Sequence, residues 1–428
     1  METSNGEAVR CTIATFYQVA CSVSRLREAA QPMSLKTISI TGLLAAAFAA
    51  LAAQPAAAEL RGFDVSRQAG LYDVAHTWSA EVADYDNDGR DDVFVNRHYE
   101  PAGGTLHRNV GGRFERVDTG PESFPKTDRH DCAWGDVDRN GRQDLYCTVG
   151  GERGSGLRPN ELWLQQPSGQ FVNRAADYGV EDRRGRGRDT TFIDVNRDGF
   201  LDLYVGNKFP RTDGKQSKNK LFINQGGQSF RPAPEYGLNK QVGGKTIQAV
   251  DYNEDGFKDL LVCGERRLYL FRNAGGRAFS DVTRQLGIAD PCEAALFANI
   301  DGRGRPDLVR LAEGRVTATP QRGARFRKPS LSREVRGGEY LAAGRVNRDR
   351  LDDLYVVQSG PIDKDRPDLM LLNRRGGTDF DRLDMAQTTR GKGDYVAAID
   401  HDGDGRDEFI VMNGHLKAEG PIRLIAFR

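Results

Sequence analysis

From residue 60 onward, apolar and polar positions fall into short runs cut by Gly-, Asn- and Asp-rich turns. This pattern predicts many strands and tight turns rather than long helices. One unit recurs. A strand of small residues, such as "TTFID" or "TIQAVD", enters an acidic loop. A continuous apolar strand, such as "DLYVGN" or "DLLVCG", leaves it. A third strand follows ("NELWLQQ", "NKLFINQ", "RLYLFRN"), then a Gly-rich turn and a fourth strand centred on Phe. The acidic loops begin at 84, 136, 194, 251, 299, 345 and 400, steps of 46 to 58 residues, the length of one four-stranded propeller blade.

The phenylalanines of the expected fourth strands are Phe63, Phe114, Phe171, Phe230, Phe279, Phe326 and Phe380. The first precedes every acidic loop, and after the seventh loop only two strands remain, the last being "IRLIAFR". Pairing these orphans closes a ring. The expected architecture is therefore an all-β, seven-bladed β-propeller over 59–428, its seventh blade completed by the N-terminal strand at 60–66; the alternative is an open β-solenoid. Closure removes the sheet edge that otherwise invites association.

The loops carry the candidate chemistry. In "DYDNDGRDD" oxygen side chains stand at positions 1, 3, 5 and 9, and Gly stands at position 6. Packing carboxylates this closely is costly unless something neutralises them. Hard oxygen donors on alternate residues of a tight loop suit Ca²⁺, with a backbone carbonyl from position 7 and Gly permitting the bend. Magnesium prefers to keep its waters, and zinc prefers softer ligands. The expected metal ligands are Asp84, Asp86, Asp88 and Asp92; Asp136, Asp138, Asn140 and Asp144; Asp194, Asn196, Asp198 and Asp202; Asp251, Asn253, Asp255 and Asp259; and Asp400, Asp402, Asp404 and Glu408. That makes about five Ca²⁺. The loops at 299 and 345 are decayed. Arg303 holds position 5 of the first, and Arg345 and Arg350 hold positions 1 and 6 of the second, so both are expected to be metal-free.

The N-terminus reads as processing signal, not fold. Lys36 precedes an apolar run from Ile38 to Ala53, followed by Gln54-Pro55-Ala56-Ala57-Ala58. Residues 33–58 are the expected signal peptide, cleaved after Ala58, with Met33 as the true start and 1–32 a miscalled extension. The run is shorter than the roughly 20 residues a spanning helix needs, so no membrane insertion is expected after cleavage. Export to the periplasm or medium follows. Four cysteines then remain, an even number that suggests two disulfides. A hairpin through Asp136–Asp144 brings Cys132 and Cys147 together. Cys263 and Cys292 both fall on the side away from the acidic loops, so the expected pairs are 132–147 and 263–292. Lys+Arg and Asp+Glu both number 61, which names no charged partner.

The repeat x-D-x-[DN]-x-D-G-x-x-D-L resembles the FG-GAP/VCBS repeats of integrin α-chain propellers and of the cartilage acidic protein family. "CAWGDVDRNGRQDLY", "NELWL", "GRGRDTTFIDVNRDGFLDLYVGN" and "NKLFINQGGQSF" are similar to bacterial members of the second group. The resemblance implies the propeller fold and calcium. By analogy with integrins, it directs attention to the face opposite the cation loops.

On that face the sequence places a basic cluster: Arg153, Arg158, Arg183, Arg184, Arg186, Arg188, Lys208, Arg211, Lys215, Lys218, Lys220 and Lys245. Such a rim attracts acidic glycans or anionic protein. No nucleic-acid-binding module is recognisable. His76, His98, His107, His130 and His415 are expected in or near loops of blades 7, 1 and 2. The function that follows is a non-enzymatic, calcium-binding module for a glycan or an extracellular protein. The alternative is a polysaccharide lyase or related carbohydrate enzyme, with His98, Tyr99 and His130 as general acid and base.

Overall fold

The computed structural model describes residues 60–428 except 98–102, 121–122, 151–157, 209–212, 216, 324, 359–365, 375, 378–379, 386–389, 392, 394 and 415–418. The expected leader, 1–58, lies outside the described residues. Leu60–Arg428 is one compact unit. It is a seven-bladed β-propeller; six blades are four-stranded antiparallel sheets, and the seventh adds a short fifth strand. The first strands are Thr77–Ala83, Arg129–Gly135, Gly187–Ile193, Thr246–Val250, Ala294–Ala298, Gly338–Gly344 and Tyr395–Ile399.

The second strand of each blade sits between neighbouring sheets, which explains its uninterrupted apolar run. Asp92–Arg97, Asp144–Val149, Asp202–Asn207 and Asp353–Gln358 are buried at every position. A strand covered on both faces has no reason to alternate. The apolar core divides into seven clusters, one between each pair of adjacent blades. One joins Val93 and Val95 of blade 1 to Ile410, Met412, Ile422 and Leu424 of blade 7, so packing as well as pairing closes the ring.

Backbone pairing closes it where the sequence predicts. Gly62–Asp64 runs antiparallel to Gly420–Phe427, with Phe63 opposite Ala426. Arg61 and Arg428 exchange backbone hydrogen bonds of 2.9 and 3.0 Å. A second clasp pairs Val74–Ala75 with Pro421 and Gly420.

Two of the seven phenylalanines do not behave as expected. Phe114, Phe230, Phe279 and Phe380 each stand opposite an asparagine of the third strand. Phe63 is one residue out of that register and 45% exposed. Phe326 does oppose Gln321, but its strand breaks there and resumes at Leu331–Glu334, where Pro320 interrupts the partner strand. Proline supplies no N–H for the ladder.

Both disulfides form as expected. Cys132 and Cys147 are directly opposed on the first two strands of blade 2. Cys263 ends the second strand of blade 4 and reaches Cys292, just before blade 5 begins. Disulfides fit an oxidising compartment. Among the described residues, no helix is long and apolar enough to cross a membrane.

Candidate functional site

The acidic loops join first to second strands, so all lie on one face. Four share one backbone. Position 4 is left-handed at Asn87, Arg139, Arg197 and Glu254, each with φ 60°, and position 6 is glycine with φ of 82° to 86°. Arg139, Arg197 and Glu254 gain nothing from this conformation, which non-glycine residues rarely adopt. What the bend achieves is visible at position 1. Asp84 accepts the N–H groups of Asp88 and Gly89, both at 2.9 Å, and Asp136 accepts those of Asn140 and Gly141.

Carboxylates converge in three loops. One oxygen from each of Asp84, Asp86 and Asp92 lies within 4.8 Å of the others, and the same holds for Asp136, Asp138 and Asp144, and for Asp400, Asp402 and Asp404. In the loops at 194 and 251 an asparagine replaces the second carboxylate, and its amide donates to Asp198 or Asp255. Buried oxygens are left without a hydrogen-bond donor in three of the intact loops, Asp86 Oδ1, Asp194 Oδ1 and Asp400 Oδ1, and in the decayed loop at 299, where Asp301 Oδ2 faces Arg322 instead. A buried acceptor without a donor is costly. The residues present therefore suit a hard cation. In loop 1 a protein cation already approaches: Arg108 lies 2.5 Å from Asp86 and 3.1 Å from Asp88.

The decayed loops depart from the intact ones, through partners other than those their sequences suggest. Arg322, not Arg303, pairs with Asp301 at 2.5 Å. The Arg345 backbone N–H donates to the Asp407 carboxylate of the next loop at 2.6 Å, and Asp407 N–H donates to Arg345 O at 2.8 Å.

Position 9 has a second role that the ligand reading missed. Asp92 accepts the N–H of Tyr85 at 3.0 Å on one oxygen and that of Asn109 at 2.7 Å on the other. Asp144, Asp202, Asp259 and Asp353 repeat this bridge from loop position 2 to the third strand. Burial pushes Asp92, Asp144, Asp202, Asp259 and Asp353 up to about 7. The carboxylate holds the blade together whether or not an ion binds, which accounts for Asp307 and Asp353 surviving in the decayed loops. Glu408 keeps the bond to loop position 2, accepting the N–H of His401 at 3.2 Å, but its other contact is His401 Nδ1 at 2.5 Å on the same oxygen.

The third-strand asparagine was also missed. Asn224 donates to Val137 O of the preceding blade at 2.8 Å and accepts the N–H of Gly227 at 2.8 Å. Asn109, Asn273 and Asn373 do the same to His401, Val195 and Ile300. The signal was the shared N in "HRN", "INQ" and "FRN". Asn224→Leu is expected to cost about 2–3 kcal/mol, since it strands a buried carbonyl and a buried N–H. Urea unfolding of the variant measures this; an unchanged midpoint would remove the interblade role.

The opposite face carries a cavity of about 660 Å³ on the propeller axis. The N-terminal ends of the first strands line it with Trp78, His130, Arg188, Tyr340 and Tyr395, and Lys208, Lys245, Glu265, Glu293 and Glu339 join them. Below, Glu81, Asp131 and Asp189 each accept a backbone N–H from the next blade: Cys132, Thr190 and Ile247. Burial, then the neighbouring Glu81 charge, drives Asp131 well above the carboxylate range; burial does the same to Asp189 and brings Glu81 to about 7.

Of the expected catalytic trio, only His130 can be placed; His98 and Tyr99 lie outside the described residues, as does His415. His130 is buried in a strand, not a loop, with Nε2 3.0 Å from Asp128. His107 is likewise a strand residue, 3.1 Å from Thr105 Oγ1, and burial lowers it to about 4. The basic cluster divides. Arg188, Lys208 and Lys245 reach the cavity. Arg183 pairs with Glu181, and Lys220 pairs with the buried Asp182. Arg153 and Arg211 lie outside the described residues.

These loops, set on a closed ring of blades, make this a β-propeller that carries FG-GAP-like repeats. The FG-GAP-like repeat model matches residues 84–147, 211–262 and 251–310. The chain is similar to cartilage acidic protein 1 of Mus musculus, 27% identical over 193 residues, covering 41% of this chain and 27% of that protein. It is also similar to integrin alpha-3 of Cricetulus griseus, 28% identical over 125 residues, covering 27% of this chain and 12% of that protein. The chain thus aligns with about a quarter or less of these curated relatives. A solved structure of BBS1N in complex with ARL6DN shares the fold, with a TM-score of 0.50 at 10% identity, covering 82% of this chain and 92% of that chain.

Proposed function

We propose that this protein is an exported, calcium-stabilised propeller that binds a glycan or protein ligand without catalysing a reaction. The observation that carries this reading is the division between its two faces. Acidic loops with orphaned buried oxygens occupy one, and an axial cavity lined by aromatic and charged side chains opens on the other. Five intact loops, beginning at Asp84, Asp136, Asp194, Asp251 and Asp400, each hold one Ca²⁺, and the two decayed loops hold none. The Lys36–Ala58 leader and the two disulfides support a periplasmic or secreted location.

The test is an array of glycans and acidic polysaccharides, probed with and without calcium, with absorbance followed for unsaturated product. Saturable binding that weakens in chelator, with no product formed, is the expected result. Product formation would establish the lyase instead, and an array silent at all glycans and candidate proteins would end the binding reading. Asp86→Ala is expected to remove one ion by metal analysis and Asp349→Ala none.

A further inference from the structure

The axial cavity contains an arginine with no direct carboxylate ion pair among the described residues. Arg188 is partly buried; desolvation, with Arg186 nearby, lowers it to about 10 although Asp128 and Glu265 act against the shift. Its Nη1 donates to Gly187 O at 2.9 Å and approaches His130 Nδ1 at 2.8 Å and Nε2 at 3.0 Å. With Nε2–H given to Asp128, Nδ1 is left as the acceptor for Arg188, so Asp128 and His130 fix the guanidinium in place. Its Nε and Nη2, the edge that grips a carboxylate through two hydrogen bonds, meet no acceptor among the described residues. Lys208 Nζ also lines the cavity without a bonded partner among them. An arginine held by two acceptors on one nitrogen, with its two-nitrogen edge unused, is arranged for an anion.

The remaining lining narrows the class of anion. Glu265, Glu293 and Glu339 border the same space. They repel a plain polyanion but accept hydrogen bonds from hydroxyls. Trp78 stands edge-on to His130 at 4.7 Å, and Tyr340 and Tyr395 lie 5.8 Å apart, offering apolar faces. A volume of about 660 Å³ falls in the range of small-ligand sites.

Resting on the glycan-binding reading above, we infer that the axial cavity binds one hexuronate unit of an acidic oligosaccharide. Its carboxylate sits on Arg188 and Lys208, and its hydroxyls donate to the rim glutamates. A neutral sugar offers the Nε–Nη2 edge of Arg188 only hydroxyl oxygens in place of a carboxylate.

The experiment is calorimetric titration of the calcium-loaded protein with oligogalacturonate and with its neutral galactose counterpart. Binding of the first, with the second weaker by about tenfold to a hundredfold, is expected from loss of one charge-assisted pair. Arg188→Lys is expected to lose a similar factor, since a point charge cannot reproduce the two-nitrogen grip. Lys208→Met, nearer the rim, is expected to lose less. Each variant must keep the parent melting temperature in calcium; if Arg188→Lys does not, Lys208→Met carries the test alone. Equal affinity for the two oligomers, unchanged affinity in a folded variant, or no uronate binding overturns the inference. In the last case a positive array with another ligand leaves the broader reading standing.

Discussion

Deleting residues 59–66 is expected to lower the melting temperature sharply and to turn a discrete species into a concentration-dependent mixture of associated forms. The segment contributes the pairing of Gly62–Asp64 with the last strand, and the mutual hydrogen bonds of Arg61 and Arg428. It also contributes the Arg423–Asp64 ion pair and the 2.9 Å bond from Leu424 N to Ser66 Oγ. Each backbone bond is worth only about 1 kcal/mol net, but the set is lost together. What remains is the free edge of "IRLIAF", a strand whose residues are mostly buried and apolar, exposing a row of donors and acceptors. Such an edge pairs with another chain. The second clasp, Val74–Ala75 on Pro421 and Gly420, is untouched, so the deletion loosens the ring without unfolding the blades. Calcium stoichiometry should stay at five. Sedimentation velocity over a range of concentrations reads the association. A truncated protein that sediments as the parent does and melts at the same temperature would mean that blade 7 is held by its core cluster alone.

What the sequence revealed and what it hid follow from how local each feature is. The acidic loop closes within nine residues, so its ligand types, its glycine and its decay at Arg303 and Arg345 are all written in one short window. Ring closure was legible although its partners lie at opposite ends, because a repeated unit makes a missing strand countable. Phe326 shows the limit of that counting. The residue kept its place opposite Gln321, but Pro320 broke the strand around it, which no tally of aromatic positions detects. Asp92 illustrates a second limit. Its recurrence looks the same whether it binds an ion or bridges Tyr85 to Asn109, and only the decayed loops, which keep Asp307 and Asp353, separate the two roles. The cavity was least legible. Arg188, His130 and Tyr395 come from first strands of three blades, and their meeting depends on the ring's radius, not on any motif. Lys220 looked like part of a basic rim because its neutralising partner, Asp182, lies 38 residues away in sequence.

Removing calcium is expected to have the other large effect, and pH sets its size. A ligand that binds only the folded state contributes RT ln(1 + [L]/Kd) per site. With Kd around 10⁻⁴–10⁻³ M, as in extracellular calcium modules, millimolar calcium adds about 0.4–1.4 kcal/mol per site, or about 2–7 kcal/mol over five. That is a large fraction of the roughly 5–15 kcal/mol by which a native protein is stable. Protons compete for the same carboxylates. In the metal-free protein, burial raises Asp92, Asp144, Asp202 and Asp259 to about 7, above the ordinary 3.8. Between these values the folded state holds more protons than the unfolded one, so the contribution of these groups to metal-free stability is full below about pH 4 and is lost as pH rises through 7. Calcium displaces those protons, so its stabilising effect grows over the same interval. The melting temperature in chelator should therefore fall from pH 5 to pH 8, and the gain on adding millimolar calcium should be larger at pH 8 than at pH 5. Metal analysis of the calcium-loaded protein should return five ions. Seven would show that the Arg322–Asp301 pair and Arg345 do not exclude an ion, and a melting temperature indifferent to chelator at pH 8 would leave the orphaned oxygens of Asp86, Asp194 and Asp400 without the cation assigned to them.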